Sequence, residues 1–229
     1  TPDEYVEFRR QLGMKAIAIA DHDVLGAVRQ GAIAAERAGM LFIPALEVTA
    51  EAYAACVKAG KCTDAFAKCA DASTYGAAGK EKHPMVCVDF AQAEAYCAAQ
   101  GKRLPREEEW EWAARGGAEG RMYPWGAADA KDQLCWSGGG SVRTGTCEVG
   151  AFPAGASPQG ILDLAGGVFE WTTSANDGKG KMRIARGGSW RDGIPQQVKV
   201  ARPGGFEVTY RCGFLGIRCV TPAPAAPAK

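Results

Sequence analysis

Glycine limits the possible architecture of this chain more than any other residue, since it supplies 30 of the 229 residues, roughly twice its usual share. A chain so rich in glycine has many turns and few long helices. The effect is clearest after Gly116, where Gly, Pro and Ser interrupt short apolar stretches. Six tryptophans supply the large apolar side chains from which such a chain can build a core. We therefore expect a loop-rich globular domain.

A few segments have the periodicity of regular elements. Apolar residues at helical spacing predict helices over 51–59, 90–100 and 107–114. Apolar runs bounded by glycine predict strands over 184–190 and 216–220.

The charge balance limits the classes of partner. Lys and Arg total 27 and Asp and Glu total 26, so the net charge is +1. A balance this even gives no electrostatic reason to expect nucleic acid or an anionic membrane as a partner. The sequence also lacks the 18 consecutive apolar residues that a transmembrane helix needs.

Nine cysteines are more than a typical cytosolic protein carries and predict disulfides. Cys135 and Cys147 flank a glycine-rich loop and are predicted to pair with each other. Four more cysteines form either two further bridges or a zinc cluster, although they lack the Cys-x-x-Cys spacing of a zinc hairpin; these are Cys56, Cys62, Cys69 and Cys87. Disulfides predict an extracytoplasmic location: periplasmic, cell-surface or secreted.

The first 49 residues have an αβαβ rhythm, with apolar strands over 15–20 and 41–48. Asp21-His22 follows the first strand, and Glu47 follows an Ile-Pro in the second. This arrangement resembles a truncated PHP (polymerase and histidinol phosphatase) domain, in which His22 and Glu47 would be metal ligands. The only other histidine is His83, so the multinuclear site of that superfamily is incomplete. His22 alternatively only ends a strand, and the fragment is then a scaffold or the remnant of a metal-dependent phosphoesterase.

From about residue 48 onward, six motifs occur in order. They are EVTAEAYAACV (47–57), HPMVCVDFAQAEAYC with GKRLPREEEWEWAARGG (83–117), YPWG (123–126), DLAGGVFEWT (163–172), RGGSW (186–190) and LGIRCV (215–220). Together they resemble the formylglycine-generating enzyme, or sulfatase-modifying factor, family. The resemblance implies an α+β, irregular C-type-lectin-like fold. We expect a short αβαβ fragment over 1–49, the family domain over 50–221 and a Pro/Ala tail over 222–229.

The resemblance also implies a metal and a disulfide. The family binds calcium at the turn that matches DLAGGVFE, so Asp163 and Glu170 would bind the ion through side chains, and Gly166 and Val168 through carbonyls. Such hard oxygens suit Ca²⁺. The family cross-links the positions of Cys97 and Cys219. Cys212 is then the unpaired cysteine, a free thiol.

The copper site of the catalytic family members is replaced in this sequence. Those enzymes carry two cysteines shortly after the RGGS motif, and both thiolates hold copper(I). The matching positions are Asp192 and Gln197, so copper binding is not expected. Relatives that synthesise sulfoxides use three histidines on iron, which a chain with two histidines cannot supply.

Two functional hypotheses remain. The first is a non-catalytic binding module for a protein or glycan, and the family resemblance extends to retroelement-diversified variable proteins, which place their varied residues in the matching segment. The second is an enzyme: a formylglycine-generating oxidase that recruits Cys212, or a hydrolase based on the PHP-like fragment. For the first, the expected recognition face combines aromatic, Arg and amide side chains: Arg191, Asp192, Gln196, Gln197, Lys199, Arg202, Phe206, Tyr210 and Arg211.

Overall fold

The computed structural model of the protein describes residues 16–17, 41–42, 47–64, 69, 73–140 and 142–221. Within these ranges it contains three α-helices, three short 3-10 helices and six strands. The strands form a two-stranded sheet and a four-stranded sheet. This mixture confirms the predicted α+β class. None of the helices in the described part of the chain is long and apolar enough to cross a membrane.

The N-terminal segment is described only at β1 (Ala16–Ile17) and β2 (Leu41–Phe42). These two strands pair in parallel, with Ala16 opposite Leu41, at the positions where the αβαβ pattern predicts two strands. His22 and the two helices predicted for this fragment lie outside the described residues, as does the Pro/Ala tail over 222–229.

The three helices match their predicted boundaries to within one residue, because each begins at a recognisable start signal. Thr49 caps the first helix by accepting a bond from the Ala52 amide at 3.3 Å. Asp89 and Gln92 form a reciprocal capping box at the start of the second helix. Three glutamates occupy the first turn of the third, where carboxylates favour the positive end of the helix dipole. The helices are α1 (Ala50–Lys58), α2 (Phe90–Ala99) and α3 (Glu107–Ala114).

The four-stranded sheet has the order β5-β4-β3-β6. Neighbouring strands are antiparallel except for β3 and β6, which run parallel with Phe169 opposite Leu215. The strands are β3 (Phe169–Ala175), β4 (Met182–Arg186), β5 (Gly204–Glu207) and β6 (Leu215–Gly216).

The strand predictions need correction. The strand predicted over 184–190 ends at Arg186, because Gly187 and Gly188 have left-handed φ values of +105° and +76°. The strand predicted over 216–220 is reduced to Leu215–Gly216, followed by an isolated bridge between Val220 and Arg103. The sequence analysis did not predict β3 or β5.

The main core lies between α1, α2 and the four-stranded sheet. Its largest fully buried side chains include those of Tyr53, Met85 and Trp171. The segment before α1 crosses this core, because the Val48 amide bonds to the Ile217 carbonyl at 2.9 Å and the Val48 carbonyl accepts from Met85 at 2.7 Å. Glu47, a metal ligand in the predicted N-terminal pattern, directly precedes Val48 and is itself buried, at 4% exposed.

Eight of the nine cysteines form four disulfides, and Cys212 is the free, buried one. The two predicted pairs, Cys97–Cys219 and Cys135–Cys147, are both present. The remaining four cysteines, all within the described residues, form bridges rather than a zinc cluster, and pair as Cys56–Cys62 and Cys69–Cys87.

Candidate functional site

The loop that follows β4 carries the first half of the predicted recognition face. Gly188 starts the loop in a left-handed conformation, where a Cβ would lie 2.9 Å from the Gln197 carbonyl oxygen. Only glycine fits this position without a shift of the backbone. The loop therefore folds back on itself, with Gly188 and Gln197 in contact.

Asp192 acts as a structural clamp within this loop. Its Oδ2 accepts hydrogen bonds from the Ser189 amide at 2.7 Å and the Ser189 hydroxyl at 3.3 Å. Arg202 lies 3.7 Å from its Oδ1. Burial raises the pKa of this carboxyl group, while the contacts with Ser189 and Arg202 act in the opposite direction.

Gln197 holds the other side of the same loop. Its Oε1 accepts from the amides of Gly193 at 3.0 Å and Ile194 at 3.2 Å. Its backbone carbonyl accepts from the Arg202 guanidinium at 3.2 Å. Asp192 and Gln197 thus use their polar groups to fix the backbone, while the neighbouring side chains of Arg191 and Gln196 are exposed.

Arg191 is one of these exposed neighbours. Its guanidinium lies 5.8 Å from the ring centre of Trp190 and 5.1 Å from that of Phe214. Trp190 is itself fixed, because its Nε1 donates to the Gly213 carbonyl at 2.8 Å. The Arg191 guanidinium therefore packs against two aromatic rings at cation–π distance.

Phe206 and Tyr210 form the second half of the face. Their rings stack with centroids 5.7 Å apart and planes at 13°. Phe206 also contacts Phe169 and Trp171 of β3 edge-on, so it links the face to the core. Tyr210 is 43% exposed.

Phe214 joins the two halves, and the sequence analysis did not include it. Its ring lies 5.1 Å from the Arg191 guanidinium and 6.3 Å from the Phe206 ring. Ile194, which is 54% exposed, was also not predicted to belong to the face. An aromatic residue next to the LGIRC motif was the available signal for Phe214.

The nine predicted residues thus divide by role. Arg211 is an anchor rather than a free contact, because it pairs with Asp89 at the start of α2. Asp192 and Gln197 hold the loop, and Lys199 and Phe206 are partly buried. Four predicted residues are exposed: Arg191, Gln196, Arg202 and Tyr210.

A second polar centre lies in the core, beneath the DLAGGVFE turn. Glu170 is fully buried and accepts from Arg218, with Nε at 2.9 and 3.0 Å and Nη2 at 2.8 Å. The Trp110 Nε1 donates to the same carboxylate at 2.5 Å. Both oxygens of the Glu170 carboxylate therefore accept hydrogen bonds from these two partners.

Two further acids lie near this ion pair. Glu47 is 4% exposed, and its Oε1 has no hydrogen-bond partner within the described part of the chain. Burial, together with the negative charges of Asp163 and Glu170, raises its pKa well above the ordinary value. Burial also raises the pKa of Asp163 to about 6, although its Oδ2 accepts from the Gly150 amide at 2.7 Å.

Comparison with known proteins identifies the architecture. A family model described as "Sulfatase-modifying factor enzyme 1-like domain" matches residues 22–223. The chain belongs to this family. The match starts well before residue 50, so it includes part of the segment that resembles a PHP domain.

Individual relatives agree with this assignment. "Inactive C-alpha-formylglycine-generating enzyme 2" of Bos taurus is 37% identical over 163 residues, covering 66% of this chain and 54% of the relative. "Formylglycine-generating enzyme" of Streptomyces coelicolor is 32% identical over 176 residues, covering 63% of this chain and 54% of the relative. The chain thus spans about half the length of these curated relatives.

A solved structure supports the fold. Variable protein 1 of Treponema denticola superposes with a TM-score of 0.61 at 20% identity, covering 76% of this chain and 81% of that one. The predicted C-type-lectin-like fold of the sulfatase-modifying factor family is confirmed.

Within this family, the loop after RGGSW is where the catalytic members are expected to hold copper. In the present member the two matching side chains are the carboxylate and the amide that fix the loop. Cys212 is the free thiol, and its backbone carbonyl accepts from the Cys87 amide at 3.0 Å. Burial raises the pKa of the Cys212 thiol to about 11, so it is protonated at neutral pH.

The predicted calcium turn fits the ion only in part. Asp163 supplies an acidic oxygen, and the Oε1 of Glu47, for which no described residue is a hydrogen-bond partner, is a further buried oxygen near it. Glu170, however, does not fit as a ligand in this arrangement, because Arg218 and Trp110 occupy its carboxylate. Within the described residues, no group of three or more His, Cys, Asp or Glu side chains is arranged to hold a metal ion.

Proposed function

We propose that this domain is a non-catalytic, extracytoplasmic binding module whose recognition face is the segment 191–212. The observation that carries the proposal is the role of Asp192 and Gln197. Where the copper-dependent oxidases need two thiolates, these residues donate no sulfur and instead fix the loop through hydrogen bonds. A rigid loop without a reactive group suits recognition better than redox chemistry.

The chemistry of the exposed side chains supports a binding role. Arg191 lies over two aromatic rings, and Tyr210 stacks on Phe206. Arg and Tyr supply much of the binding energy at protein interfaces, and rings held in place lose little entropy on binding. A protein or glycan surface that offers carboxylates and apolar patches would complement this face.

Diversification of the face by a retroelement remains a narrower proposal. It agrees with the division of the segment into fixed residues and exposed ones. Sequencing the gene in sister isolates tests it, because diversification should concentrate substitutions at the exposed positions and spare Asp192 and Gln197.

Two further parts of the proposal concern environment. Four disulfides fit an oxidising compartment, which supports an extracytoplasmic location.

Calcium would be held by Asp163 with the carbonyls of Gly166 and Val168. Glu170 would coordinate the ion together with these groups only after its ion pair with Arg218 is broken.

The oxidase alternative sets the first experiment. The protein is incubated with copper(I), oxygen and a Cys-x-Pro-x-Arg peptide, and the peptide is followed by mass spectrometry beside an active family member. We expect the cysteine to persist in the test reaction and to become formylglycine in the control. Conversion by this protein that disappears in Cys212→Ser would overturn the proposal and establish the oxidase.

The recognition face needs its own test. A glycan array and a display library of peptides are probed with the wild type, Arg191→Ala, Tyr210→Ala and Met122→Ala. Met122 is a matched control, because it is an apolar side chain of similar exposure, 48% against 43% for Tyr210. Loss of a hit in the first two variants but not in Met122→Ala supports the face, whereas equal binding by all four places the binding surface elsewhere.

A further inference from the structure

A second cleft lies outside the 191–212 face, between the segment 73–80 and the loop 142–146. Its volume is about 570 Å³, within the range of about 300–1,000 Å³ that small-molecule sites have. The walls combine hydroxyl groups with two cationic side chains, so the cleft has a largely polar lining.

The loop that forms one wall is held rigidly. The Cys135–Cys147 disulfide closes its base. Arg143 is fixed by its backbone amide, which bonds to the Ser137 hydroxyl, and by its Nε, which donates to the Trp136 carbonyl, both at 3.0 Å. These contacts leave the Nη groups of Arg143 as the donors for a ligand.

The opposite wall contains an unused donor. The Oγ of Ser73 is buried and has no hydrogen-bond partner among the residues that the structure describes. Its neighbour Thr74 is saturated, since its hydroxyl donates to the Pro84 carbonyl at 2.7 Å and accepts from the Val86 amide at 3.3 Å. A buried hydroxyl without a partner is costly, so Ser73 points to a missing acceptor.

The positive charge of the cleft lining indicates that this acceptor is an anion. Lys80 and Arg143 are its charged lining residues, and no Asp or Glu is among the lining residues, all of which the structure describes. Burial lowers the pKa of the neighbouring His83, and Lys80 acts in the same direction, whereas Glu148 and Glu81 oppose the shift. His83 in turn contacts the Thr146 hydroxyl at 2.8 Å, which orients that part of the wall.

We propose that this cleft binds a tetrahedral oxyanion, a sulfate or phosphate group carried by a small molecule such as a sugar. Arg143 and Lys80 supply charge-assisted hydrogen bonds, which are the stronger kind. The Ser73 and Thr144 hydroxyls donate to the remaining oxygens. The site is independent of the 191–212 face and does not require the proposed function to be correct.

The test is an NMR titration of the folded wild-type protein with sodium sulfate and sodium phosphate, against sodium chloride at equal ionic strength. We expect saturable shifts of the amide signals of Ser73, Gly145 and Thr146 with the two oxyanions only. Galactose 6-sulfate compared with galactose shows whether a sugar carrier adds affinity. Absence of saturable shifts with both oxyanions would overturn the proposal.

Two variants of the cleft and one control variant make the assignment specific. Lys80→Gln should weaken oxyanion binding by about fivefold, the size expected for one exposed charged contact. Lys179→Gln removes the same charge from the β3–β4 hairpin and should leave the affinity unchanged. Arg143→Lys keeps the charge but loses the fork of donors, including the Nε bond to the Trp136 carbonyl, and should also weaken binding. Equal affinities in Lys80→Gln and Lys179→Gln would refute the site.

Discussion

Arg218 and Glu170 form an ion pair inside the core, 1% and 0% exposed, and join β3 to the segment that follows β6. Both charged groups are shielded from water, and the Trp110 indole NH donates a further hydrogen bond to the carboxylate. A buried pair of this kind adds modest net stability, but removing one partner leaves an uncompensated charge. The pair therefore specifies how these segments meet.

The first prediction concerns this pair. Arg218→Met should lower the free energy of unfolding by about 3–5 kcal/mol, the usual cost of breaking a buried ion pair. Urea denaturation followed by tryptophan fluorescence measures it. Arg121→Met is the matched control: its partner Glu119 is about half exposed, and its loss should cost about 1 kcal/mol or less. Equal costs for the two variants would contradict a structural role for the buried pair.

Glu47 leads to a prediction on pH. Its carboxyl pKa is raised in the folded state, first by burial, so the native protein holds this proton to higher pH than the unfolded chain does. Stability is therefore lost as pH rises above about 4, the ordinary pKa of glutamate. Glu47→Gln removes this loss and should raise the free energy of unfolding at pH 7 relative to the wild type.

The measurement is urea denaturation at several pH values between 4 and 8. Glu51→Gln serves as control, because Glu51 is exposed in the first turn of α1. A destabilising Glu47→Gln at pH 7 would show that the carboxylate is ionised and paired.

The local parts of the fold could be predicted from the sequence. Helix starts were visible because Thr49 and Asp89 are caps whose effect acts within one turn. The Cys97–Cys219 bridge followed from family resemblance, whereas the spacings of the other cysteines left Cys56–Cys62 and Cys69–Cys87 undecided. Sequence spacing does not reveal which distant segments meet, and that is what decides such pairs.

The roles of individual residues in the predicted face could not be derived from the sequence. Asp192 and Gln197 were placed on the face by residue type, yet their hydrogen bonds to the adjacent backbone make them supports. Glu170 was expected to face a calcium ion, and the arginine that meets it lies 48 residues away in sequence. Such long-range pairing follows from tertiary packing, which periodicity does not encode.

Calcium binding gives the third prediction. Asp163 has a left-handed backbone, with φ of +60°, which Asn also tolerates. Asp163→Asn should keep the fold and the acceptor for Gly150. With its carboxyl pKa at about 6, wild-type Asp163 costs stability as pH rises from about 4 to 6, and the variant should lose that dependence.

Calcium should stabilise the wild type and leave Asp163→Asn unchanged. If the turn binds the ion, calcium raises the Tm of the wild type at pH 7 but not that of Asp163→Asn. Magnesium at the same concentration is the control, since it favours a stricter octahedral geometry. Equal shifts of Tm in both proteins would rule out Asp163 as a ligand.

The last prediction concerns the reactivity of Cys212. Because only the thiolate attacks an alkylating agent, a pKa of about 11 leaves about one thiol in a thousand reactive at pH 8, compared with about a quarter for an ordinary cysteine. Iodoacetamide should therefore modify Cys212 at least about a hundredfold more slowly in the native protein than in urea. Mass spectrometry of the intact, unreduced protein counts the adducts, and Cys212→Ala, which should take up none, assigns them to this residue. Rapid modification of the native wild type would show that Cys212 is an accessible thiolate. Cys212 could then serve as the nucleophile that the oxidase alternative requires.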